Sequence, residues 1–263
     1  MQLKTSLALV VSAIFLTACG GGSDSASTVT AAPVVAPTKA EGYYVGSFST
    51  AANPNGVFET VVLENDDLWV IYGGRTSTGT TSVFGMVQGK GVSNNGSFSG
   101  TDLRDFYSNG QVVSGSISAS YVAGTSLKGN VSSGNQTVAF TAAAPTNSNY
   151  NYNTTPKLAD IVGSWTGFNL QGSIDTVTIN ADGTLSSVDS GCVTTGTVTP
   201  RASGKNIFDL SVKAAQSPAC GTSAGLTATG HVVTNLLSGG RRQLTALYVT
   251  PARDFGSAFI AVR

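Results

Sequence analysis

From residue 41 to residue 263 the apolar side chains come in strand-sized pieces, and turn signals separate them. Asn95-Gly96, Asn109-Gly110, Asp182-Gly183 and Gly239-Gly240 each stand between two such pieces. Dipeptides of this kind supply the positive φ angles that tight hairpins need. Asp175-Thr176-Val177-Thr178-Ile179 alternates polar and apolar, as a strand with one buried face does, whereas Leu68-Trp69-Val70-Ile71-Tyr72 is apolar on both faces. Beyond the N-terminal segment no stretch carries an apolar stripe of helical period long enough to make a helix. A chain without helices must bury strand against strand. An open meander would leave exposed edges ready to pair with other chains, and closing it into a barrel removes them.

The two halves resemble one another. Val45-Gly46-Ser47-Phe48 matches Val162-Gly163-Ser164-Trp165 at an offset of 117, and at that offset Val62 meets Ile179 and Leu68 meets Leu185. Ser114-Gly115-Ser116-Ile117 resembles Thr229-Gly230-His231-Val232, and Val138-Ala139-Phe140-Thr141 resembles Ala258-Phe259-Ile260-Ala261. Repeats of about 100 residues, each long enough for six to eight short strands, predict an all-β protein of two tandem small antiparallel β-barrels. One continuous β-sandwich is the alternative. The expected organisation is a signal peptide over 1–18, a flexible tether over 19–40, a first barrel over 41–144, an Asn/Tyr-rich linker over 145–157 and a second barrel over 158–263. Tyr150 and Tyr152 in that linker are expected to rest on a barrel rather than to stack on a ligand.

Leu158-Ala159-Asp160-Ile161-Val162-Gly163-Ser164-Trp165 resembles the opening G-x-W of calycin barrels, the lipocalin and avidin group. The resemblance implies that Trp165 plugs one barrel end and that an arginine, Arg253 or Arg263, packs on it. Phe48 holds the Trp place in the first half.

The N-terminus carries Lys4 and then a short apolar run, Leu7 to Leu16, which is the pattern of a secretory signal. The run is too short for a spanning helix, which needs roughly 20 apolar residues. Leu16-Thr17-Ala18-Cys19 resembles the lipobox of bacterial lipoproteins. That resemblance implies cleavage before Cys19, acylation of its thiol and amine, and attachment to a lipid bilayer through those chains. Gly20, standing where Asp retains such proteins at the inner membrane of enteric bacteria, favours the outer membrane. A tether of about 20 residues reaches a mean span of roughly 25 Å in the flexible regime.

Removing Lys4 with the signal leaves 13 basic against 14 acidic side chains. Neutrality argues against nucleic acid and against a polybasic lipid-surface patch, both of which need a cationic footprint. With Cys19 committed to lipid, Cys192 and Cys220 remain as an even pair in an exported protein, where a disulfide is the default. A metal pair is the competing reading, but no further Cys or His stands at ligand spacing.

Candidate chemistry is sparse. The single histidine, His231, lies in a strand-like run, and no Gly-x-Ser-x-Gly elbow accompanies it. Asp66, Asp67, Asp102 and Asp105 are the acids that a two-carboxylate mechanism would draw on, but Asp66 and Asp67 fall at a turn, where Asp is favoured for its own backbone bonds. Gly89-Lys90-Gly91 does not make a P-loop, and Arg241-Arg242 reads as a solvated hairpin tip. No catalytic, metal or cofactor residue is therefore expected. The expectation is a non-catalytic binding module at the cell envelope, with an envelope or host protein as its partner. The alternative is a periplasmic protease inhibitor of barrel fold that uses the 145–157 segment for insertion.

Overall fold

The computed structural model describes residues 38–75, 81–146, 150–237 and 239–263. The expected signal peptide, Cys19 and all but the end of the expected tether lie outside these residues.

Two closed antiparallel barrels follow one another. The first is built from β1 (Gly42–Phe48), β2 (Gly56–Val62), β3 (Asp67–Arg75), β4 (Thr81–Asn94), β5 (Ser97–Tyr107), β6 (Val112–Val122), β7 (Ser126–Ser133) and β8 (Gln136–Ala143), each paired with the next, and β8 closes on β1. The second runs β9 (Gly163–Asn169), β10 (Ile174–Ile179), β11 (Thr184–Asp189), β12 (Cys192–Pro200), β13 (Phe208–Ala214), β14 (Thr227–Leu236), β15 (Arg242–Val249) and β16 (Gly256–Val262), and β16 closes on β9. The tandem barrels, and not the single sandwich, are thus the architecture. All four turn dipeptides sit at hairpin tips, with Gly96, Gly110, Gly183, Gly239 and Gly240 at φ between 78° and 87°.

Strand alternation sorts each barrel into an inner and an outer face. In β3, Leu68, Val70 and Tyr72 point inward, while Trp69 and Ile71 point outward into a second apolar layer. That layer is the seam between the barrels. Tyr43, Val61, Trp69, Ile71, Met86 and Phe106 of the first barrel meet Val233, Leu247, Val249, Ala258 and Ile260 of the second. Strands with both faces buried therefore read as continuous apolar runs. Polar bridges rim the seam: Arg201 donates to Glu64 (2.9 Å), Lys205 to Glu41 (3.1 Å) and Arg253 to Asp102 (2.6 Å).

Tyr150 and Tyr152 of the 145–157 segment lie in the same seam. Tyr152 is buried there, and the Tyr150 ring packs 4.6 Å from that of Tyr43 while its hydroxyl donates to the Asn206 carbonyl (2.6 Å). The two tyrosines rest on the barrels, as expected.

The expected tether ends earlier than residue 40. Ala40 is fully buried and its N–H donates to Ser93 Oγ (2.9 Å), Lys39 donates to the Glu64 carbonyl, and Tyr121 donates to the Thr38 carbonyl. Residues 38–40 close one end of the first barrel. Their low bulk gave no sign of it, because backbone groups make most of these bonds.

The match between the halves also shifts. Gly42 pairs with Val62, and Gly163 pairs with Ile179, so Gly42-Tyr43-Tyr44 is the counterpart of Gly163-Ser164-Trp165. The Tyr44 hydroxyl donates to the Ala40 carbonyl (2.9 Å) and the Trp165 indole to the Ile161 carbonyl (2.7 Å), each four residues back. Both rings are buried at the same end of their barrels. Phe48, assigned to the Trp place by letter matching, stands at the opposite end of β1, across from Gly56. The offset changes from 121 at the first strands to 117 at the second because the connection from β1 to β2 is longer than that from β9 to β10.

Candidate functional site: a cavity in the first barrel

At the closed ends the barrels follow one plan. Trp165 plugs the second, and the Arg263 guanidinium lies 3.8 Å from the ring centre. Of the two arginines considered for this role, Arg263 takes it and Arg253 bridges to the first barrel instead. In the first barrel Tyr44 takes the plug position, and burial pushes its hydroxyl up to about 12.

The open ends differ. The first barrel holds a cavity of about 280 Å³ whose wall is formed by Phe58, Leu68, Val70, Val87, Ile117 and Val131, with Phe48 and Phe140 further out. The long β1–β2 connection supplies Thr50, Ala52 and Asn53 to its mouth. Small residues make the room behind the wall. A Cβ on Gly89 would lie 2.3 Å from the Leu103 side chain and one on Gly91 2.2 Å from the Phe98 ring. This is the structural use of Gly89-Lys90-Gly91: its glycines let large inward side chains lie flat.

One polar cluster interrupts the apolar wall. Asp105 on β5 is buried, its Oδ1 accepts from the Tyr72 hydroxyl (2.9 Å) and its Oδ2 from the Ser133 hydroxyl (2.7 Å). Tyr107 lies 3.2 Å from Ser133. Burial raises the Asp105 carboxyl above its ordinary range, and the bonds from Ser133, Tyr72 and Tyr107 oppose that shift. Tyr72 is raised as well, by burial and then by the neighbouring carboxylate. A second polar group lines the same cavity. Thr60 is 2 % exposed, and its hydroxyl has no hydrogen-bond partner among the described residues.

In the second barrel the corresponding end is occupied by its own polar side chains. Asn169 donates to Asp189 (3.2 Å), Tyr248 stands opposite Ser257 in the β15–β16 register, and the buried Asp175 Oδ1 has no hydrogen-bond partner among the described residues. Cys192 and Cys220 form a disulfide that ties the start of β12 to the β13–β14 connection over this end.

The other sequence candidates scatter. Asp66 accepts from Ser93 (2.6 Å) at its turn, Asp67 from Asn65 (2.7 Å), and Asp102 pairs with Arg253. Only Asp105 of the four acids faces a cavity. His231 lies in the seam, edge-on to Trp69 with ring centres 5.1 Å apart, and its Nδ1 is 3.2 Å from Asp209. Proximity to His231, then to Arg201, holds the Asp209 carboxyl below its ordinary range. Arg242 pairs with Asp160 at 3.4 Å. Among the described residues no group of three or more His, Cys, Asp or Glu side chains is placed to hold a metal ion, and no helix is long and apolar enough to cross a membrane.

Sequence reasoning found Asp105 only as a scarce acid. Its signal was alternation: in Leu103-Arg104-Asp105-Phe106-Tyr107 the carboxylate shares the face of Leu103, so an acid stands at an inward position. No family model matches the chain, and no curated protein matches it. Fold and site together define a tandem β-barrel protein whose first barrel holds a ligand-sized cavity.

Proposed function

We propose that this protein is a non-catalytic binding module of the bacterial envelope, held on the outer membrane by acyl chains on Cys19, and that its first barrel binds a small apolar molecule. The observation that carries the reading is the apolar cavity, open at one barrel end and furnished with the Asp105 cluster and Thr60. Ligand sites are concave, mostly apolar and furnished with a few placed polar groups, with volumes from roughly 300 Å³ upward. Rigid closure by hydrogen-bonded strands keeps such a site open without ligand.

Binding is tested with a neutral fluorescent naphthalene titrated onto the purified protein, beside a Val131→Phe variant that places a ring in the cavity. Saturable binding that the variant loses, with circular dichroism unchanged, is the expected result. Absence of binding to the unmodified protein overturns the cavity reading. Anchorage is tested separately by mass spectrometry of the mature N-terminus, where an unacylated Cys19 removes the membrane half of the proposal.

A further inference from the structure

We infer that the cavity of the first barrel recognises a small aromatic amine that carries a second hydrogen-bonding group at its far end, the ammonium meeting Asp105 and the far group meeting Thr60. This rests on the reading of the cavity as a ligand site and names what enters it.

The size comes first. A cavity of ~150 Å³ accommodates benzene, so the 280 Å³ here holds a molecule of about ten non-hydrogen atoms by the same measure. The wall of Phe, Leu, Val and Ile side chains then calls for an apolar body.

Charge comes second. Among the described residues lining the cavity, Asp105 is the one carboxylate and no Lys or Arg faces it. Both of its oxygens accept hydrogen bonds, from Tyr72 and Ser133, which is the role of an ionised carboxylate. Such a group has about four acceptor positions, and even with Tyr107 added at least one stays open. Burial raises this carboxyl above its ordinary range, and no Lys or Arg among the described residues lining the cavity offsets it. An ammonium brought in by a ligand supplies that charge along with a charge-assisted hydrogen bond. An anionic ligand would meet repulsion in a medium of low dielectric.

The second polar position is Thr60. Thr60 pairs with Val70, Val70 with Val87, and Val87 with Asp105, so the two polar residues stand at one level of the barrel, three strands apart around its wall. At ~4.8 Å per strand that is about 14 Å of wall, which places Thr60 on a different side of the cavity from the carboxylate. Its hydroxyl lacks a partner among the described residues, and leaving a buried polar group unsatisfied is costly. A ligand hydroxyl reaching it removes that cost.

Tyramine, phenethylamine and 4-ethylphenol separate the two contacts, because the second lacks the hydroxyl and the third the amine. Isothermal titration calorimetry on the full mature chain should find tyramine the tightest of the three. Asp105→Asn should weaken tyramine and phenethylamine at least tenfold and leave 4-ethylphenol within twofold. Thr60→Val should weaken tyramine and 4-ethylphenol and leave phenethylamine within twofold. Should Asp105→Asn fail to fold, phenethylamine against 2-phenylethanol on the unmodified protein tests the same contact. Neutral compounds binding as tightly as amines, with Asp105→Asn silent, overturns the inference while the apolar-ligand reading stands. Failure of all these compounds and of neutral naphthalene to bind overturns both.

Discussion

The two barrels share strand order, closure and plug, yet their open ends are lined differently: apolar side chains around a cavity in the first, a run of polar side chains in the second. At the closed ends Tyr44 and Trp165 do the same thing, each buried and each bonded to a carbonyl four residues back. At the open ends the first barrel spends its inward positions on Val, Leu and Phe around a space, and the second carries polar side chains, among them Asn169, which donates to Asp189, and Asp175. The second also carries the disulfide across this end. The difference teaches that barrel closure alone does not make a pocket. What makes one is which side chains point inward over the last turn of each strand, and how long the connections above them are.

The likeness of the closed ends is the easiest part of this comparison to break. Trp165→Ala should cost about 3–5 kcal/mol, as truncation of buried aromatics generally does. Tyr44→Ala should cost a comparable amount, and urea unfolding measures both. A Tyr44 variant near wild type would show that residues 38–40, and not the ring, close the first barrel. Next in size is the disulfide. Its 28-residue separation corresponds to about 3–4 kcal/mol of loop-closure entropy, so Cys192→Ser with Cys220→Ser should lower the unfolding free energy measured by urea by that amount. Naphthalene binding to the first barrel in the absence of denaturant should persist, since the bridge lies wholly in the second.

These expectations also show how far the sequence could be read. Closed all-β barrels followed from short alternating runs and from the four turn dipeptides, because hairpin geometry is a local property. The disulfide followed from counting cysteines. The cavity did not, because Leu68, Val70 and Val131 look alike in sequence whether they touch one another or border a space. The seam was half legible: Leu68-Trp69-Val70-Ile71-Tyr72 is apolar on both faces because one face lines the first barrel and the other meets the second. Nothing in one strand says where its outer partner comes from. The match of Phe48 with Trp165 failed for a related reason, since it aligned letters where strand pairing, Gly42 with Val62 and Gly163 with Ile179, sets the equivalence.

The contrast between open and occupied interiors is sharpened by enlarging one residue in each barrel. Ala246 is buried against the second barrel's own core, and Ala246→Phe should cost about 1–3 kcal/mol through overpacking. Val131→Phe points into the first barrel's cavity and should cost less than about 1 kcal/mol, because its ring enters space already present. Equal costs, measured by urea midpoints, would mean the first barrel is as tightly filled as the second.

The smallest expected effect concerns whether the barrels can be compared as separate bodies at all. Glu59 points outward from β2 into the seam, where Gln243 (2.7 Å) and Thr245 (3.2 Å) of the second barrel and Tyr43 (3.0 Å) of the first donate to its carboxylate. Burial raises this carboxyl above its ordinary value of 4.5, and the three donors only partly offset it. A carboxyl with a raised value in the folded chain binds its proton more tightly there than in the unfolded chain. Its contribution to stability is therefore fully present below about pH 4.5 and is lost as pH rises through the folded value. Glu59→Gln keeps an acceptor for Thr245 and removes the titration. The wild type should gain stability relative to Glu59→Gln on going from pH 7 to pH 5, and the unfolding transition should remain single in both if the seam joins the barrels into one cooperative unit. Parallel pH profiles would mean that Glu59 is hydrated in the folded protein. Two separate transitions would mean that the seam couples the barrels weakly, and each would then be free to open on its own.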